Sequence, residues 1–98
     1  MCISTDFQNL QDSLTNKTIR FGINELSLSK FSDAKFTNNT CLISEKQSIT
    51  FHPQGKRMFL YIFDSGNTTL EEVDYIDSDN GLTQIQTAQN NLIIISAN

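Results

Sequence analysis

Tryptophan is absent from this chain of 98 residues, proline occurs once, at Pro53, and histidine once, at His52. The two cysteines, Cys2 and Cys41, make one bridge at most, so no disulfide framework holds the fold. One histidine and two distant cysteines cannot supply a zinc set at any usual spacing, so neither a metal nor a cofactor is expected. The four glycines, at 22, 55, 66 and 81, are scattered and form no phosphate-cradling loop. Long apolar runs are missing too. The longest spans the six residues from Met58 to Phe63, whereas a membrane helix needs about 20. Met1-Cys2-Ile3-Ser4 lacks the basic and apolar regions of a secretory signal, which gives the expectation of a cytoplasmic chain. A net charge of −4 argues against a dedicated nucleic-acid binder, which needs a basic face to neutralise phosphates.

What remains is a chain with 38% hydrophobic residues, enough for one core and read as a single domain over 1–98. Phe7, Leu10 and Leu14 recur at i, i+3 and i+7, which predicts a short helix over 4–15 capped by Ser4 or Thr5 and ended by Thr15-Asn16-Lys17. From Thr18 the period becomes two, with Ile19, Phe21 and Ile23 on one face. The parity flips at Leu26 and Leu28, which points to a turn or bulge near Asn24-Glu25. Asp33 to Asn39 is polar enough to predict a loop leading into a strand at Thr40 to Ser44. Gln47 to Phe63 reads as a hairpin turning within His52-Pro53-Gln54-Gly55-Lys56, Pro53 at the turn's second position, with a second strand apolar on both faces and therefore covered on both sides. On that reading Phe59, Tyr61 and Phe63 are core. Residues 68–77 carry both a helical spacing (Leu70, Val73, Ile76) and a strand alternation (Val73, Tyr75). Asn80-Gly81, the strongest short hairpin signal, decides for strand. Leu92 to Ile95 closes the chain as an interior strand. The prediction is a mainly β protein (α+β by strict count): a short N-terminal helix, then six to eight antiparallel strands as a small barrel, a sandwich or one sheet.

Catalytic chemistry finds little support. Cys41 and His52 flank one hairpin entry, but no third group orients them, so no catalytic residue is assigned and the chain is expected not to be an enzyme. The acidic stretch around Asp77, Asp79 and Asn80 fails the calcium-loop template, because Gly81 at its sixth position would put Ile76 first.

Charge distribution is the informative feature. Up to Arg57 there are seven bases and five acids, a net +2; after it come six acids and no base, −6. Five of those six are Glu71, Glu72, Asp74, Asp77 and Asp79. As a solvated hairpin face they need no function. As a site they would steer toward a basic partner, with Tyr75 as an aromatic anchor. The partner-binding expectation is therefore Glu71, Glu72, Asp74, Tyr75, Asp77 and Asp79, facing a basic protein such as a toxin or nuclease. In size, acidity and lack of a shared motif the chain is similar, at the level of class only, to bacterial immunity proteins. Separately, Gln47-Ser48-Ile49-Thr50-Phe51-His52-Pro53-Gln54-Gly55 resembles the hairpin of minor pilins and pseudopilins. That resemblance implies an alternative structural role, with residues 4–15 as the end of a longer pilin helix.

Overall fold

A computed structural model describes residues 2–96. One helix, α1 (Ile3–Leu14), precedes eight strands: β1 (Thr18–Ile23), β2 (Ser32–Thr37), β3 (Thr40–Leu42), β4 (Gln47–Gln54), β5 (Arg57–Asp64), β6 (Asn67–Asp79), β7 (Leu82–Thr87) and β8 (Asn91–Ser96). Each strand pairs antiparallel with its sequence neighbour, and β8 returns to β1, closing an up-and-down barrel. The mainly β expectation holds, with a barrel as the architecture realised. Closure leaves no sheet edge, so Leu92–Ile95 is paired on both sides, by β7 and β1.

Strand alternation builds the core. Ile19 and Phe21, Ala34 and Phe36, Cys41, Ile49 and Phe51, Met58 and Leu60 point inward and are buried, as are Val73, Ile76, Ile85, Leu92 and Ile94 on the later strands. Helix α1 lays its apolar stripe against this interior at one end of the barrel. Phe7, Leu10 and Leu14 are all buried, and the Phe7 ring stacks 4.6 Å from Phe51 and lies 6.3 Å from Phe36. Cys2, not Ser4 or Thr5, holds the N-cap position, because Ile3 already begins the helix. At the other end Asn16 takes a left-handed φ of 66° and donates its backbone N–H to the Phe36 carbonyl, turning the chain directly into β1.

Four local expectations change. Residues 33–37 belong to a strand, β2, in place of the predicted loop: Ala34 and Phe36 are its only two apolar side chains, and both face the core. The β4–β5 turn is Gly55-Lys56, with Gly55 at φ 62°, and Pro53 stays in the strand opposite Met58. Leu26 and Leu28 belong to no strand; β1 ends at Ile23, and the segment after Asn24 (φ 53°) leaves both leucines exposed. Finally, β5 is covered on one side only. A barrel wall has one inside, taken by Met58 and Leu60, so Phe59, Tyr61 and Phe63 lie on the outer surface and are not core.

The Asn80-Gly81 hairpin forms as expected, both residues having positive φ, and β6 is a strand throughout. Its double signal has a physical cause. A bulge between Val73 and Tyr75 leaves Asp74 without an opposite residue, so Val73 and Ile76 both point inward though three positions apart. The helical-looking spacing is the imprint of that bulge.

Candidate partner-binding wall

The six residues singled out from charge all lie on β6, and the strand's alternation separates them. Glu71 points into the barrel and is 8% exposed. Its carboxylate accepts hydrogen bonds from the Thr87 hydroxyl and the Asn90 side-chain amide, each at 2.6 Å. The Thr87 hydroxyl also accepts the backbone N–H of Gln89 and of Asn90, so Glu71 ties down the whole β7–β8 loop. Glu71 is thus a buried structural acceptor and is absent from the outer face.

Glu72 faces outward and is engaged. Arg57 meets it with two parallel bonds, Nε at 2.8 Å and Nη2 at 2.6 Å, while the guanidinium carbon sits 5.3 Å from the Phe59 ring centroid. This pairing holds the Glu72 carboxyl below the ordinary carboxylate range, through hydrogen bonding to Arg57 first and its charge next. The charge of Glu72 is therefore largely neutralised locally.

Asp74, Tyr75, Asp77 and Asp79 form the part of the set that is exposed together. The bulge resets the parity so that Tyr75, Asp77 and Asp79 share the outer face, opposite Gln86, Gln84 and Leu82 of β7. None of these three acids has an ion-pair partner among the described residues. Tyr75 is 44% exposed between them.

Sequence reasoning missed the other half of this wall. On the outer side of β4–β6, cross-strand rows set Tyr61 between Thr50 and Leu70, and Phe63 between Ser48 and Thr68. Leu70 and Leu42 are more than half exposed. His52, also outward, lies edge-on to Tyr61 at 6.0 Å. Along β6 the apolar strip is thus followed by the acidic one, with the Glu72–Arg57 pair between them. The signal was in the sequence: the six consecutive apolar or aromatic residues from Met58 to Phe63 cannot all point inside a closed barrel.

Cys41 and His52 are on opposite faces of the sheet. The thiol is fully buried and burial pushes it up to about 12, whereas the imidazole is exposed. Among the described residues no three His, Cys, Asp or Glu lie together as a metal set, and no helix is long and apolar enough to cross a membrane. No protein-family model matches the chain, and neither a curated protein nor a solved structure matches it.

Proposed function

We propose that this barrel is a non-catalytic binding protein that docks a basic protein surface against the outer wall along β6, as an inhibitor or immunity-type protein masking a toxin or nuclease would. The observation that carries the reading is the succession along the outer wall at β6 of an exposed apolar strip (Tyr61, Leu70) and an acidic strip (Asp74, Asp77, Asp79) without ion-pair partners among the described residues. Apolar and aromatic residues at the centre with charge at the rim is the composition of protein interfaces. Tyr75 supplies an anchor within the charged part. Compared with the set expected from sequence, the working residues are narrowed to the outward ones, with Glu72 contributing through its tie to Arg57. The pilin-type alternative continues to rest on the β4–β5 hairpin alone.

The test is affinity capture from source cells at about 50 mM and about 500 mM salt, comparing the wild type with the triple variant Asp74→Lys, Asp77→Lys, Asp79→Lys. The wild type should retain a basic protein at low salt, and the triple variant should bind it at least about tenfold more weakly. Equal retention of the same partner by the triple variant removes the acidic strip from the interface.

A further inference from the structure

Independently of the outer wall, the barrel has an open end. At the mouth opposite α1, residues at the ends of β1, β4 and β5, together with Glu25, Lys30, Ser32 and Ile43, line a cavity of about 180 Å³. Its depth profile follows from strand register. Along β4 and β5 the paired inward positions run from Phe51 and Leu60, buried in the core, through Ile49 and Ile62, to Gln47 and Asp64 at the rim. The same alternation that fills the interior with apolar groups therefore ends in hydrogen-bonding ones.

The geometry points to this mouth as a binding site for a small ligand with an apolar body of about one ring and a primary ammonium head. Size sets the body: apolar protein cavities of about 150 Å³ accept a benzene-sized guest. Charge sets the head, because the rim carries two carboxylates, Glu25 and Asp64, against the single ammonium of Lys30. Among the described residues, both carboxylates are oriented by bonds to one oxygen only. Glu25 Oε1 accepts the backbone N–H groups of Leu26 and Ser27, both at 3.2 Å. Asp64 Oδ1 accepts the Gln47 side-chain amide at 3.4 Å and the Ser65 hydroxyl at 3.3 Å. The second oxygen of each remains to accept from a ligand, and such charge-assisted bonds are the stronger kind.

The segment that carries Glu25 and Lys30 is fixed from behind, which spares a ligand the cost of ordering it. Arg20 Nη2 donates to the Leu28 carbonyl at 2.7 Å. The Phe31 ring lies so close over Gly22 that a Cβ there would sit 2.6 Å from it. Only glycine permits that seat.

The probe is phenethylammonium, titrated into the isotope-labelled protein and followed by amide NMR, with phenylacetate and 2-phenylethanol in parallel. Phenethylammonium should bind with a Kd on the order of 1 mM, shifting the amides of Ile43, Gln47 and Ile62 and leaving α1 unmoved. Phenylacetate should bind at least about fivefold more weakly, and Asp64→Asn should weaken the amine about fivefold while leaving the alcohol unchanged. Ile62→Trp, or Ile43→Phe should the first not fold, fills the space and should abolish binding of all three. The proposal is overturned if phenethylammonium at about 10 mM moves no mouth amide, if a filled cavity binds as before, or if phenylacetate equals the amine.

Discussion

The two ends of this barrel are made by the same strands and finished in opposite ways. At the α1 end the last inward side chains are Phe36, Phe51 and Met58, and the helix covers them with Phe7, Leu10 and Leu14. At the mouth end the inward positions turn polar, and the nearby β7–β8 loop is held by a buried carboxylate, Glu71. One end is sealed by apolar packing and the other is organised by hydrogen bonds. A barrel of eight strands has an interior just wide enough to be filled by side chains or to admit one small ligand. Here the filled and unfilled parts divide along the axis. The sealed end supplies stability that does not depend on direction. The bonded end supplies fixed geometry.

Truncation should separate the two. Phe7→Ala at the sealed end removes a buried ring that stacks on Phe51 and leaves a cavity under α1, so it should cost about 3–5 kcal/mol in urea unfolding. Loss of under about 1 kcal/mol would mean the helix is not part of the cooperative unit. At the bonded end Glu71→Ala leaves the Thr87 hydroxyl and the Asn90 amide without their acceptor inside the wall. The expected cost is about 2–3 kcal/mol, with amide exchange accelerated first in residues 87–91. If exchange rises uniformly over the barrel, Glu71 serves the core at large and the contrast between the ends fails.

The sealed end was far more legible in the sequence than the bonded one. Phe7, Leu10 and Leu14 announce their common face through local spacing, and Asn80-Gly81 and the Ile19, Phe21 alternation are equally local. Glu71 was read with its acidic neighbours because its partners, Thr87 and Asn90, are 16 and 19 residues away and carry no pattern of their own. The outward direction of Tyr61 and Phe63 required knowing that the sheet closes, a property of all eight strands together. The loop reading of residues 33–37 failed for the same reason: β2 takes its place from pairing with β1 and β3, with only Ala34 and Phe36 to mark it.

The two thiols offer the finest test of the sealed end, since one lies outside it and the other within. Hydrogen bonds from the Ser4 hydroxyl, then from the Thr5 hydroxyl and backbone, hold the Cys2 thiol down at about 7. Cys41 is pushed up to about 12 by burial. At pH 8 the thiolate fraction is therefore about 0.9 at Cys2 and about one in ten thousand at Cys41, and the first is half-buried whereas the second is fully buried. Iodoacetamide should label Cys2 with a half-maximal rate near pH 7, and Cys41 only on opening of the barrel. Phe7→Ala should raise the labelling of Cys41 and leave that of Cys2 nearly unchanged; Glu71→Ala, acting at the opposite end, should raise it less. The linkage has a definite sign. An ordinary thiol near 9.0 in the unfolded chain loses its proton before the folded Cys41 does, so stability falls as pH rises from about 9 to about 12, by up to about 1.4 kcal/mol per pH unit. Cys41→Ala should flatten that slope relative to the wild type. An unchanged slope would mean that the interior beside Phe36 is wet, and the α1 end would then be no more sealed than the mouth.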